Sequence, residues 1–365
     1  MVPGVSEAPW GEIDGNAIKR YTLTNRCGMQ LDLTNYGARL ISLFAPDRAG
    51  VLADVVLGFD SVQEYADSRD AMGATVGRVA NRIRGPGFSI DDRFYRLLAN
   101  EGVNTLHGGR EFEHVVWSSS VLSSSESDTR RSQRDTRPPA EQSICFSHVS
   151  PDGFFGFPGN LAAQINVTLS DENSVQFRFR ATTDKATHVN FAHHSYFNLS
   201  GLTETIHNHH AWLAADEYLV LDEEALPTGL VESLDGKPWD LRAPTRLGDR
   251  MAKIPNGGYH HNYVLRSGRE GTIAARLFDP ESGRLLDVST TQPSIVLYAA
   301  QGFAPSLRGK QGKRYGPHWG LCLETQHHVG APNIKHFPST LLRPGEVYDE
   351  TVCYHFQVAD ALQPA

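Results

Sequence analysis

The feature that most constrains this chain is a period of two. In Leu161-Ala162-Ala163-Gln164-Ile165-Asn166-Val167-Thr168 and in Val175-Gln176-Phe177-Arg178-Phe179-Arg180, apolar and polar side chains alternate over the length of a strand. That is the pattern of a sheet with one face in a core. Tyr21-Thr22-Leu23-Thr24 and Gln30-Leu31-Asp32-Leu33-Thr34 read the same way. The 33 glycines and 20 prolines punctuate nearly every gap, and no long stretch keeps a helical apolar period. Residues 61–69 are the only modest helix candidate. Many short strands and few short helices predict an all-β chain, a large antiparallel β-sandwich or a barrel, rather than a wound α/β sheet.

A length of 365 residues leaves room for one large sandwich or two smaller units. With 40% hydrophobic and 21% charged residues there is material for a sizeable core. A net charge of −8 and a pI near 6.0 give no basic footprint, so neither nucleic acid nor membrane is an expected partner. The first 13 residues have no basic start followed by an apolar run, and no segment supplies the ~18 apolar residues of a membrane span. A cytoplasmic protein is expected. Residues 118–143 are rich in Ser, Arg, Asp and Pro and read as a flexible insertion between strands.

Nucleotide-binding loops are not supported. Gly73-Ala74-Thr75-Val76-Gly77 lacks the G-x-G-x-x-G spacing, and Gly312-Lys313 is followed by Arg314 where a P-loop needs Ser or Thr. Cys27, Cys145, Cys322 and Cys353 form no CxxC pair and read as free thiols. The Asn166-Val167-Thr168 and Asn198-Leu199-Ser200 triplets match a glycosylation acceptor but carry no weight without a secretion signal.

Two segments carry chemistry. From Val189 to Leu199 a strand-like alternation sends Val189, Phe191 and Phe197 to the core, with His193 on the same apolar side as a structural histidine. Asn190, His194, Tyr196 and Asn198 collect on the opposite face. In Trp319-Gly320-Leu321-Cys322-Leu323-Glu324-Thr325-Gln326, Glu324 follows an apolar run, where a carboxylate is paired, hydrogen-bonded or functional. Gly77-Arg78-Val79-Ala80-Asn81-Arg82 and Asn104-Thr105-Leu106-His107-Gly108-Gly109 sit at turns whose glycines let backbone approach a ligand. Arg82, Asn81 and His107 can donate to hydroxyl groups, although surface ion pairing fits Arg82 equally well.

Gly77-Arg78-Val79-Ala80-Asn81-Arg82-Ile83, Asn104 to Gly109, His194-Ser195-Tyr196-Phe197-Asn198-Leu199 and Leu323-Glu324-Thr325-Gln326-His327 occur in that order. In these motifs the chain resembles the aldose 1-epimerase (galactose mutarotase) family. Softer matches run from Thr34-Asn35-Tyr36-Gly37-Ala38 and Asp54-Val55-Val56-Leu57-Gly58 through Pro227-Thr228-Gly229 to residues 339–344. The resemblance covers nearly everything outside 118–143. It implies one domain over residues 1–365 with a galactose mutarotase-like β-sandwich, active as a monomer or homodimer. It implies interconversion of the α and β anomers of a monosaccharide, with no metal and no organic cofactor. His194 is then the general acid and Glu324 the general base, and Asn81, Arg82 and His107 hold the sugar, with Tyr196 beside them. An unperturbed imidazole titrates near ~6.5 and an unperturbed glutamate near ~4.3, so such a pair needs no extreme tuning at neutral pH.

The chain departs from the family pattern at two substrate-binding positions. Gly258-Tyr259-His260-His261 has His260 where Asp is usual, and Ile295-Val296-Leu297-Tyr298 has Val296 where many members carry Gln, with Gln301 further along. Both changes bear on which sugar is preferred and spare the acid and base. Two rival readings remain. His207-Asn208-His209-His210 suggests a metal-dependent β-barrel sugar isomerase, although a solvated turn explains it too. The other is a non-catalytic carbohydrate-binding protein on the same fold.

Overall fold

The computed structural model describes residues 3–122 and 141–365. Its two largest sheets have nine and six strands. The nine-stranded sheet runs in the order Ser118–Leu122, Glu141–Ser150, Leu161–Ser170, Ser174–Thr183, Tyr348–Val358, Arg284–Thr290, Ile273–Phe278, His210–Leu213 and Thr245–Arg246, and neighbours pair antiparallel. The alternation read from the sequence is what seats it. Ile165, Val167, Phe177 and Phe179 are buried, while Gln164, Gln176 and Arg178 point the other way. Each such apolar side chain contributes about 1.5–3 kcal/mol by leaving water.

The six-stranded sheet has the order Tyr196–Phe197, Leu321–Gln326, Ser294–Tyr298, His260–Leu265, Ala215–Leu221 and Pro227–Ser233. The two sheets meet face to face. Tyr354, on the central strand of the larger sheet, packs its ring 5.0 Å from that of Phe197 and donates its hydroxyl to the Leu323 carbonyl at 3.5 Å. One apolar cluster between them runs from Tyr21 to Phe356. A third, five-stranded sheet is formed by the amino-terminal strands Gly4–Ile13, Asn16–Thr24, Gln30–Thr34, Arg39–Pro46 and Leu52–Asp54.

The helix candidate is the helix Val62–Asp67, started by a capping box in which Ser61 N–H donates to Glu64 Oε2 at 2.9 Å and Glu64 N–H to Ser61 Oγ at 3.4 Å. Among the described residues no helix is long and apolar enough to cross a membrane.

Two expectations need correction. The insertion does not begin at residue 118. Ser118–Leu122 pairs with the strand Glu141–Ser150 in the register Ser118 to Ser147 through Leu122 to Ser143. This is an edge strand held by backbone hydrogen bonds, so its serines need no core. The remainder of the expected insertion, 123–140, lies outside the described residues. Nor is the segment 189–199 one strand. It changes partners, Ala192–His193 pairing with Thr75–Val76 and Tyr196–Phe197 with Leu321–Cys322. The alternation survives the break: Val189, Phe191 and Phe197 enter the main core.

Candidate active site

Strand register builds the site. Tyr196 lies opposite Cys322, Cys322 opposite Tyr298 and Tyr298 opposite His260, which makes one row across four strands. In the next row Glu324 faces Val296 and Val296 faces Asn262. Residues two apart on a strand share a face, so both rows lie on one side of the sheet. Over them opens a cavity of about 480 Å³, lined from the sheet side by His194, Tyr196, Glu324, Tyr298 and His260 and, around the short strand pair Arg82–Ile83 and Thr105–Leu106, by Asn81, Arg82 and His107.

At its centre His194 Nε2 lies 3.6 Å from Glu324 Oε1. The other imidazole nitrogen, Nδ1, is 3.5 Å from Cys322 Sγ. Glu324 is 2% exposed, and its Oε2 is buried with no hydrogen-bond partner among the described residues. Burial pushes its carboxyl above the usual range, opposed by the charges of His194 and Arg82. The expectation of an ordinary glutamate is therefore corrected: an apolar strand in front of the residue means desolvation behind it.

His107 and Asn81 clasp each other. Asn81 N–H donates to His107 Nδ1 at 3.1 Å, and His107 N–H donates to the Asn81 carbonyl at 2.9 Å. Burial holds His107 well below the ordinary imidazole value, so the ring is neutral. With Nδ1 accepting, its proton sits on Nε2, which makes that atom a donor. The rings of His107 and His194 meet edge to face at 5.4 Å. Arg82 is both ion-paired and in the cavity. Its Nε and Nη2 bind Glu101 at 2.6 and 2.7 Å, leaving Nη1 with no bond to another described residue. Tyr196 donates its hydroxyl to the Asp70 carbonyl at 3.1 Å and packs its ring 5.1 Å from that of His194.

Other sequence candidates separate from the site. Asn190 accepts from His327 N–H at 2.9 Å, and Asn198 donates to the carbonyls of Glu204 and Trp319 at 2.7 and 2.8 Å, so both brace the backbone. Arg78 spends its guanidinium on Ser150, Pro151, Pro158 and Gly159 in the interior. His193 is buried against Phe177, with ring centroids 4.0 Å apart. Val296, 2% exposed, does not line the large cavity. It borders a small void of about 10 Å³ with His260 and Asn262. His260 does line the cavity, and burial lowers it to about 4, so it is neutral at neutral pH. Asp70, Arg110, Asn256, Tyr298 and Gln301 are cavity residues that the motifs missed. Only Gln301 and Tyr298, beside Val296 in the chain, had a local signal.

The histidines of residues 207–210 are engaged locally. His207 Nδ1 pairs with Thr205 Oγ1 at 2.8 Å, and His209 Nε2 accepts from Leu199 N–H at 2.8 Å. The one cluster of metal-ligand type among the described residues is His194, Cys322 and Glu324, with ligand atoms within 4.8 Å of one another. Burial pushes the Cys322 thiol well above its ordinary value. All four cysteines are free.

The sequence model of the aldose 1-epimerase family matches residues 19–355. The chain belongs to the aldose 1-epimerase family. It is 39% identical to the galactose mutarotase of Bos taurus over 333 residues, 91% of this chain and 92% of that one. It is 33% identical to the aldose 1-epimerase of Escherichia coli K12 over 96% of this chain and 99% of that one. Among solved structures, galactose 1-epimerase from Lactobacillus acidophilus superposes with a TM-score of 0.82 at 26% identity, covering 98% of this chain and all of that one. In this member of the family the galactose mutarotase-like sandwich expected from the sequence is the fold observed, and the cavity opens over its six-stranded sheet.

Proposed function

We propose that this chain interconverts the α and β anomers of an aldose, with Glu324 taking the proton of the anomeric hydroxyl while His194 gives one to the ring oxygen. The bond from C1 to the ring oxygen breaks, leaving the open-chain aldehyde. Rotation about C1–C2 and reclosure with the roles reversed give the other anomer and return both residues to their starting protonation states. His107 Nε2–H, Arg82 and Asn81 hold the sugar hydroxyls. Free thiols suit a reducing compartment, which supports a cytoplasmic location.

The observation that carries this reading is Glu324 Oε2, buried with no partner among the described residues, next to an imidazole 3.6 Å from the other oxygen of the same carboxylate. A carboxylate kept dry and one oxygen short of a partner is a strong base awaiting a proton. The pair lies just beyond hydrogen-bond range, so neither group is locked to the other. The test is anomer exchange followed by saturation-transfer NMR over hexoses, pentoses, deoxy sugars and uronic acids. Exchange above the spontaneous rate, unchanged after exhaustive chelation, is expected. A protein that binds sugar without accelerating exchange is the carbohydrate-binding protein instead, and loss on chelation with recovery on adding metal favours the metal-dependent reading.

A further inference from the structure

A histidine that gives a proton and takes it back must keep one nitrogen facing the sugar, and the shape of its ring does not secure that. A half-turn about χ2 exchanges Nε2 with Cε1 and Nδ1 with Cδ2 and leaves the outline of the imidazole almost as it was. The aromatic neighbours of His194 are His107, edge-on at 5.4 Å, and Tyr196, tilted at 5.1 Å. They hold the plane of the ring without choosing between the two poses. Polar contacts have to choose. Two reach the ring among the described residues: Glu324 Oε1, 3.6 Å from Nε2, and Cys322 Sγ, 3.5 Å from Nδ1. At 3.6 Å the oxygen is out of hydrogen-bond range, whereas the larger sulfur is within its own.

The strand Leu321–Gln326 carries both groups. Cys322 and Glu324 are two residues apart, so they rise from one face of the sheet and meet opposite edges of the same imidazole. Cys322 is fully buried, and burial pushes its thiol well above the ordinary value, so the sulfur keeps its hydrogen. A neutral thiol is a weak acceptor and a weak donor. Its sulfur accepts from Nδ1–H both before and after Nε2 has given up its proton. A carboxylate in that place would add a negative charge, stabilise the imidazolium and make His194 a poorer acid. The thiol orients the ring without that charge.

Resting on the anomer-exchange reading above, we propose that Cys322 is a positioning residue for the acid: its thiol anchors Nδ1 of His194, so that Nε2 stays turned toward Glu324 and the ring oxygen of the sugar throughout the cycle. On opening, the Nε2–H bond breaks and the ring oxygen gains that hydrogen as its bond to C1 breaks. On reclosure the hydrogen returns to Nε2. Nδ1 keeps its hydrogen at every stage, and the sulfur is neither oxidised nor deprotonated.

The test is steady-state anomer exchange of one good monosaccharide substrate by the parent protein and three variants. Cys322→Ala removes the anchor, Cys322→Val removes it while filling the space, and Cys322→Ser keeps a donor and an acceptor on a shorter bond. We expect kcat to fall about three- to tenfold in Cys322→Ala and Cys322→Val, the worth of one hydrogen bond spent on keeping the competent pose populated. Cys322→Ser should lose less, and KM should stay within about twofold in all three, because the groups that bind the sugar are untouched. Thermal denaturation gives the order of stability separately, and in an apolar, buried position packing favours Val over Ser. A kcat that follows that order, with Cys322→Val above Cys322→Ser, overturns the assignment. So does parent kcat in Cys322→Ala or Cys322→Val, an equal loss in all three, or a loss that lies in KM. Should Val overpack the site and unfold the chain, Cys322→Ala against Cys322→Ser decides. Absence of exchange by the parent protein overturns the anomer-exchange reading itself, whereas exchange by the parent with any of those outcomes removes only the role of Cys322.

Discussion

Glu324 Oε1 lies 3.6 Å from His194 Nε2 in the cavity lining, while the other oxygen of the same carboxylate is buried with no partner among the described residues. A base in this state is costly to the fold and useful to the reaction. Glu324→Gln keeps the shape and removes the charge, so anomer exchange should fall by at least about 100-fold in kcat, the usual worth of a general base. The same change should raise Tm at neutral pH. The folded-state value is raised, so the native state binds the proton more tightly than the unfolded chain, and stability is lost as pH rises through that value. A variant that retains the parent rate, or one that is less stable than the parent, contradicts the assignment.

The pH profile follows from the same burial. Glu324 acts only when ionised, so kcat/KM should rise with pH along an acid limb lying above the ordinary carboxylate range near ~4.3. Arg82 is one of the two charges that hold the value down. Arg82→Met should therefore move the limb to still higher pH, in addition to weakening sugar binding. A limb unmoved in that variant would mean that another group titrates there.

Arg82 owes its pose to Glu101, which takes its Nε and Nη2. Glu101 is 37% exposed, so the ion pair adds little to stability. Glu101→Gln should leave Tm nearly unchanged while loosening the guanidinium, raising KM several-fold with kcat retained. Steady-state kinetics on a single good substrate separates the two parameters, and a loss confined to kcat would place Glu101 in the chemistry instead.

Gly108 is a backbone requirement. Its φ is +62°, and a Cβ there would come within 2.4 Å of both Gly77 O and Arg78 N, main-chain atoms that cannot swing aside. Gly108→Ala should cost about 1–3 kcal/mol or more and reduce anomer exchange, because the displaced backbone leads into Asn81 and Arg82. Gly85, with φ +72° and open space around it, is the control. Gly85→Ala bears only the strain, so thermal denaturation should rank it clearly above Gly108→Ala.

The period-two pattern was enough to find the sandwich because the long strands Leu161–Ser170 and Ser174–Thr183 of the larger sheet bury one face, and burial is what alternation records. The ordered motifs name Glu324, His194, His107 and Arg82, and the fold brings all four to the lining of one cavity. Sequence could not separate Arg78 from Arg82, four residues apart in one motif. One is braced in the interior by carbonyls from residues 150–159, and the other reaches the cavity. Nor could it tell the bracing amides Asn190 and Asn198 from site residues, since their partners Glu204, Trp319 and His327 come from elsewhere in the chain. Asp70, Arg110 and Asn256 line the cavity from separate segments that only the fold brings together.

His260 and Val296 decide the last expectation, which is that they change the sugar accepted and leave the reaction alone. His260 lines the cavity as a neutral ring, able to donate and accept, where an aspartate would only accept and would add a charge. Val296 works at one remove. It lies beneath the cavity between Glu324 and Asn262 in the strand register, and both amide atoms of Asn262 are buried without a partner among the described residues. A glutamine in its place would give Asn262 a partner and fill the small void beside His260. The parent site should favour a deoxy or acidic sugar, because no carboxylate stands at residue 260 to bind a hydroxyl or repel an anion. His260→Asp with Val296→Gln should shift kcat/KM toward galactose and glucose relative to fucose and galacturonate by about tenfold, within the ~1–3 kcal/mol that one contact contributes to discrimination. His260→Asp alone should account for most of that shift, since only this side chain borders the sugar cavity. If galactose is already the best substrate of the parent protein and the double change leaves the ranking as it was, the two residues do not set specificity.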